Sequence, residues 1–506
     1  MKKYISKILV AAVIGLSFSS CENALDINNT EVDATSENIT PDLLLAGAIV
    51  TPRPTFEVTI NELGNIMMNH WAGDVNNVTG GFQDEFRLNI TQNFYTGAFN
   101  GLFRNSGTYQ VIISSDKPGF SNHKAIARIL KSYYLQYAVD LYGDVPYSQA
   151  LQFGEFLTPA YDDQKDIYMG LITDVNTALE TMATSTDVVG AEDVIFNGDM
   201  SMWTQFANTL KLKMLLRVKD FADSNVDADF TTFYNTEVAN LDENFLSSDA
   251  TIDPVYENAA GKQNPFFANY GQDSAGEDTF DNDFIVPSDY SAEFLKGNTT
   301  EDGTTTGIFD ARLLRLYEPV TQGPDAGNVT GVQQGADNTT APVELSELGP
   351  GVLLGSEQVS YLMTAAEALF IQSEAAFLGV ISGDAQTLFE DGIRASFNNL
   401  GIAGSADAYI TASANTNLLG WTGSADKVEA IMTQKWIALS PYNAIESWIE
   451  YTRTGFPDVP VSIIAESPTR PNRLLYPSSE YSTNSANVPT QAQSDAFGTK
   501  LFWDVN

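Results

Sequence analysis

Apolar residues recur at helical spacing through most of this chain. In the stretch AIARILKSYYLQYAVDLY, Ile126, Ile129, Leu130, Tyr133, Tyr137 and Leu141 fall at steps of three or four, the spacing of one face of a 3.6-residue helix. Gly143 stands where a left-handed cap is wanted, and Asp144 and Pro146 discourage any continuation. Earlier, Thr40-Pro41-Asp42 opens a helix with Leu43, Leu44, Ala46 and Ile49 that Pro52 and Pro54 end. An apolar stretch from Ile60 to Trp71 then runs into a loop from Gly73 to Gly81, marked as such by its Gly and Asn content. Amphipathic spacing predicts further helices over 162–182, through Ile167, Leu171, Val175, Leu179 and Met182, and over 201–221, through Trp203, Phe206, Leu210, Met214 and Val218.

After a gap the helical pattern returns at 361–379, 383–398 and 426–451, the last interrupted by Pro441. The 361–379 and 383–398 segments place Ala366, Ala375 and Ala376 where two helices would approach closely, with Phe389 and Ile393 facing back across a Gly/Ser turn. That is the physics of a tetratricopeptide-like hairpin, although no regular repeat of about 34 residues runs through the chain. The fold class expected is therefore mainly α, with helical hairpins forming a scaffold. The stretch 251–355 differs: it is rich in Gly, Asn, Asp and Thr and carries scattered aromatics, among them Phe266, Phe267, Tyr270, Phe280, Phe284, Tyr290 and Phe294. A long insert of that kind, irregular yet aromatic, points to function rather than disorder. Asp281, Asn282 and Asp283 with Glu277 and Asp278 could hold a structural calcium ion, but the spacing is not that of an EF-hand loop. No other cofactor is expected.

Charge narrows the partners. There are 65 acidic residues against 26 Lys plus Arg, a formal net charge of −39, which disfavours nucleic acid and polyanionic ligands. The basic cluster Lys211, Lys213, Arg217 and Lys219 is read as a set of ion pairs or a solvated face, less readily as contact with an anionic partner. One cysteine, Cys21, excludes internal disulfides and Cys-based metal sites, and two histidines, His70 and His123, leave little for zinc. The N-terminus reads as a signal peptide: Lys2, Lys3 and Lys7, an apolar run from Ile8 to Phe18, then Ser19 and Ser20 before the only thiol. Ser19-Ser20-Cys21 resembles a lipobox, which implies that residues 1–20 are a lipoprotein signal peptide and 21–40 a lipidated cysteine and flexible tether; a plain secretory signal with an incidental cysteine is the competing reading. Acyl chains on Cys21 would anchor the protein to a membrane, each buried methylene adding ~0.8 kcal/mol.

The helix ending DLYGDVPY, followed by Pro159, Tyr161, Asp162, Gln164, Ile167 and Tyr168 in the pattern P-x-YDxQ-x-x-IY, resembles the SusD/RagB family of Bacteroidetes surface lipoproteins. The runs WTQFANTLKLKMLLRV, TQKWIALS, ESWIEYTRTGFP, RLLYPSSEYSTN and TKLFWDVN extend that resemblance in order along the chain. It implies one SusD-like domain over 41–506: helical at 41–250, a ligand-side insert at 251–355, hairpins at 356–460 and a C-terminal segment at 461–506. It also implies a protein lipid-anchored on the outer face of the outer membrane that captures an oligosaccharide, or less often a peptide, and caps a SusC-like TonB-dependent barrel.

A sugar site needs aromatic faces beside polar donors and acceptors. The loop from Asn69-His70-Trp71 through Asn76-Asn77 and the insert supply both, so Trp71, Asn76, Phe266, Tyr270 and Tyr290 are the candidate ligand contacts. Packing is the competing account of each ring, and His70 reads as a hydrogen-bonded loop or core residue. A glycoside hydrolase would instead need two carboxylates. Glu367 with Glu374 and Glu446 with Glu450 are the pairs at helical spacing, but so acidic a chain produces such pairs by chance. The expectation is a binding protein without a catalytic site; a surface hydrolase and a ligand-free scaffold are the alternatives.

Overall fold

The computed structural model describes residues 39–74, 81–152, 154–337 and 339–505. The predicted signal peptide, Cys21 and the tether up to residue 38 lie outside the described residues. Helices dominate. In chain order they include α1 (Pro41–Val50), α2 (Asn61–Met67), α3 (Thr96–Ser114), α4 (Ser121–Tyr142), α5 (Gln164–Thr184), α6 (Met200–Ser224) and α7 (Ala228–Ala239). The insert adds the short α8 (Pro265–Tyr270), α9 (Phe280–Phe284) and α10 (Asp289–Lys296), and α11 (Ala365–Phe377), α12 (Ala385–Asn399), α13 (Lys427–Leu439) and α14 (Ala444–Thr454) follow. Six short strands, β1 (Trp71–Gly73), β2 (Val145–Pro146), β3 (Tyr161–Asp162), β4 (Ala250–Ile252), β5 (Ile285–Pro287) and β6 (Ser360–Met363), pair antiparallel as β1–β5, β2–β3 and β4–β6.

The acidic excess is partly spent on helix starts. Asp163, Asp199, Asp227, Asp384 and Asp426 each accept a first-turn backbone N–H, at 2.7–3.0 Å, at the N-termini of α5, α6, α7, α12 and α13. A carboxylate there satisfies an orphan donor and meets the positive end of the helix dipole, typically ~1 kcal/mol each. The segment predicted as helix from residue 361 begins differently. Tyr361–Met363 lie in β6, paired with β4, and Thr364 then caps α11 through the Glu367 N–H at 3.1 Å. Within the α11–α12 hairpin the close approach is real: a Cβ on Gly392 would stand 2.7 Å from the Phe370 ring.

Helix α4 is the centre of the molecule. The apolar stripe predicted one buried face, but from Ala125 to Tyr142 only Arg128 escapes full burial. Of the polar residues on its other side, Gln136 donates to Asp140 at 3.1 Å, and Asp140 belongs to a buried ion cluster. Lys213 on α6 pairs with Glu367 (3.0 Å) and Glu446 (2.9 Å), and Arg217 with Glu446 (2.6 Å), Glu450 (3.2 Å) and Asp140 (3.4 Å). Lys435 pairs with Glu450 (2.7 Å), and Arg453 with Glu450 (2.6 Å) and Glu374 (2.7 Å). None of these nine residues is more than 5% exposed. Burial alone would raise Glu446 and Glu450; the surrounding Arg217, Lys213, Lys435 and Arg453 hold both below the usual carboxylate range. Asp140 also accepts from Trp503 Nε1 at 3.0 Å and from the Tyr168 hydroxyl, so the C-terminal segment closes onto the same cluster. The basic residues of α6 are thus ion-paired: Lys211 with Glu237 (2.7 Å) and Lys219 with Asp223 complete the set.

Candidate functional site

The β1–β5 ladder, with Trp71 opposite Pro287 and Gly73 opposite Ile285, brings the N-terminal loop beside the insert. Asp74 N–H continues the pairing to Phe284 O at 2.9 Å. At this junction Gly73 and Gly81 close on the Phe284 ring, where a Cβ would stand 2.4 and 2.2 Å from its Cζ. Only hydrogen fits at either place. Around Phe284 the rings form a ladder: Phe82 lies 5.0 Å from Phe284 and 5.9 Å from Phe86, and Phe280 stacks on Phe284 at 5.7 Å. Phe86 and Phe284 are buried, Phe82 is half-buried and Phe280 is 63% exposed. The ladder therefore ends in an exposed ring.

Carboxylates and carboxamides lie on the same segment of chain as that ring. Asp278 and Asp283 are exposed, and Asp281 accepts from Asn269 Nδ2 at 2.8 Å. Burial raises Glu347, and Asp283 and Asp278 close by raise it further. Below, Glu62 on α2 accepts from the Tyr95 hydroxyl at 2.8 Å and meets the Tyr270 hydroxyl at 3.4 Å. Burial first, and then the neighbouring Asp281 and Glu85, push the Glu62 carboxyl up to about 7 against those hydroxyls. The chain between the loop and α3 is strained. Phe82, Leu88 and Tyr95 all have left-handed φ, at +55°, +56° and +47°, a conformation that costs an L-residue about 1–2 kcal/mol. Strain of this kind persists where surrounding contacts over-determine it and clusters at binding sites.

The predicted contact residues lie close to this surface but not on it. Trp71 is 1% exposed and packs edge-on against Tyr270 at 5.1 Å; Phe266 lies 4.9 Å from Tyr270. Tyr290 is buried 6.2 Å from Trp436 with its hydroxyl beside Asp302. In this structure none of the four offers a ring face to solvent, which corrects their assignment as ligand platforms. The physical reason is that β1 and β5 run through the core, so residues next to them pack inward. Three of the four instead form the footing: Tyr270 O accepts from Asn282 Nδ2 at 2.7 Å and Asn269 O from the Thr279 hydroxyl at 2.6 Å, tying α8 to the α9 that carries Phe280. Asn76 lies outside the described residues. His70 is a core residue stacked on Trp436 at 4.3 Å, and burial pushes it down to about 3. Phe280 was discernible as a ring flanked by Thr279, Asp281 and Asp283, an apolar residue in a polar run.

Nor does the suggested calcium site assemble. Asn282 is turned inward to Tyr270 O, Asp281 is bonded to Asn269, and among the described residues no group of His, Cys, Asp or Glu is arranged to hold a metal ion. The carboxylate pairs at helical spacing, Glu367 with Glu374 and Glu446 with Glu450, are all spent in the buried ion cluster. A raised carboxyl such as Glu62 is what a glycosidase acid would carry, but here two tyrosine hydroxyls cover it. What the surface can do is hold a ligand with a flat apolar face and hydroxyls at its edge.

Residues 33–477 match the SusD-like_2 family, described as starch-binding associating with outer membrane. Among solved structures, the chain is similar to a chitin-binding SusD homolog from Flavobacterium johnsoniae, with 22% identity, a TM-score of 0.71, and 91% of this chain and 99% of that one covered. It is also similar to a SusD-like protein from Bacteroides thetaiotaomicron (22%, 0.72, 92% and 99%) and a SusD homolog from Parabacteroides distasonis (20%, 0.71, 92% and 98%). No functionally curated protein matches.

Proposed function

This chain belongs to the SusD-like family of carbohydrate-binding proteins, and from that premise we propose that it is a cell-surface lipoprotein, anchored through Cys21, that captures an oligosaccharide and serves as the lid of a SusC-like TonB-dependent barrel. The exposed Phe280 ring, backed by Phe284 and flanked in the chain by carboxylates and carboxamides, carries the reading. A sugar ring lays its C–H face on Phe280 and directs its hydroxyls to those groups. The many acids of that segment favour a neutral glycan over a sulfated or uronic one. The lid needs no chemistry of its own: ligand is held between lid and barrel and then passed inward.

The test is calorimetry of the soluble 22–506 protein against neutral and acidic oligosaccharides, malto- and chito-oligosaccharides first, with product analysis of each mixture. The expected result is saturable binding of intact sugar. Phe280→Ala should lose about 1.5–3 kcal/mol, on the order of tenfold to a hundredfold in Kd. Cleaved sugar, tighter binding of polyanions, or an unchanged Kd in Phe280→Ala would overturn the corresponding part of the proposal.

A further inference from the structure

A cleft of about 870 Å³ opens where the described chain begins, between the start of α1, the end of α3 and the loop after β2; it takes no lining residue from the Phe280 platform. Its wall starts at Ile39, the first described residue, and continues through Leu44 of α1, Val111 of α3 and Leu151 of the loop. These side chains are left partly open: Ile39, Leu44 and Leu151 are half-buried and Val111 is 44% exposed. The exposure continues on the same segments, with Leu43 of α1 at 70% and Leu157, beyond Leu151, at 86%. Apolar side chains left open together in this way mark a surface that something covers.

A second observation stands at the same entry. Asp42 Oδ1, in the first turn of α1, is shut off from solvent and has no hydrogen-bond partner among the described residues. An acceptor in that state is costly unless a donor arrives.

What arrives there is the chain itself. Residues 22–38 lie outside the described residues and end against Ile39. Fully extended they reach about 56 Å, and the last seven alone about 23 Å, enough to cross the cleft. In those seven, Val32 and Ala34 alternate with Asp33 and Thr35, so an extended conformation turns both apolar side chains to one side and both polar ones to the other. The backbone N–H groups of the same stretch are donors within reach of the start of α1.

We propose that residues 32–38 dock in this cleft as an intramolecular strap, with Val32 and Ala34 against Leu44 and Val111 and a backbone N–H on Asp42 Oδ1. The consequence for the membrane rests on the reading of Cys21 as the lipidated N-terminus. A docked strap leaves only residues 22–31 free and cuts the reach of the tether from about 56 Å to about 33 Å. It sets how far the body stands from its anchor, and its release lets the lid swing further.

Hydrogen exchange on the 22–506 protein is the test. Amides of residues 32–38 should exchange at least tenfold below their unstructured rates, while those of 23–31 stay at them. Val111→Asp, at an exposed position, should keep the thermal midpoint and abolish that protection. Val32→Asp, which alters none of the described residues, should abolish it too. Unprotected exchange throughout 22–38, protection that survives Val32→Asp, or protection that appears only when phosphatidylcholine vesicles are added would each overturn the strap, the last by giving the cleft to a lipid surface. Palmitate labelling of the full chain, lost in Cys21→Ala, reads the anchor separately: its failure would remove the membrane consequence and leave the strap standing.

Discussion

Glu62 makes the footing of the Phe280 platform sensitive to pH, and Glu62→Gln isolates the effect. Burial moves this carboxyl from an ordinary 4.5 to about 7. The folded protein therefore holds the proton more tightly than the unfolded chain does. The stabilisation is fully present below about 4.5 and is lost as pH rises through about 7. Such a displacement is worth about 3 kcal/mol, of which about 2.5 kcal/mol falls between pH 5 and pH 8.5. For a chain of roughly 500 residues the entropy of unfolding is about 1 kcal/mol/K, so the change is about 2–3 °C in Tm. Gln has the shape of the neutral acid and does not titrate. Wild type and Glu62→Gln should have similar Tm at pH 5, and at pH 8.5 the variant should unfold about 2–3 °C higher. Calorimetric scans at both pH values measure it, and the other buried acids, present in both proteins, largely cancel in the difference. A Tm difference within 1 °C of the same value at both pH values would refute the reasoning.

The ion cluster and the aromatic ladder give further tests. Lys213→Met leaves Glu367 and Glu446 without that counter-charge and should cost about 3–5 kcal/mol in urea unfolding; a loss below 1 kcal/mol would mean the cluster is effectively solvated. Gly81→Ala forces the Phe284 ring aside, at about 1–3 kcal/mol of local overpacking, and should weaken oligosaccharide binding while the bound sugar remains intact. Unchanged affinity would show that the ladder does not position Phe280. Trp503→Ala removes a buried ring and a donor to Asp140 and should cost about 3–5 kcal/mol, read by chemical denaturation.

Periodicity located α4, α5, α6, α12 and α13 within a few residues, because each carries an apolar stripe and most start behind a capping Asp, but it gave no helix for α3 or α7. It gave one buried face for α4, whose far side is also buried because Arg217 and Trp503, which meet Asp140 there, come from distant parts of the chain. The start of α11 was missed for a similar reason: Tyr361–Met363 extend only because β4, more than a hundred residues earlier, supplies the pairing edge. The proposed Phe280 platform lies in the loop and insert that composition and aromatic content singled out. The choice of rings was not legible. Trp71 and Tyr270 are amphipathic residues that a sequence cannot place inside or outside, whereas the exposure of Phe280 follows from α9 being held over α8 by Thr279 and Asn282.

The contact between Trp503 and Asp140 joins positions 363 residues apart, and Arg53 reaches Tyr361 O across 308. Loop-closure entropy must be met before such contacts return anything, so a chain wired this way gains its central stability late. An emerging N-terminal half carries Asp140 without Trp503, and Lys213 and Arg217 without Glu446 and Glu450. It is a set of helices with unmatched charges at their centre. Charge balance at the centre of the fold is therefore reached only when residues from the far end of the chain have arrived to meet the first half.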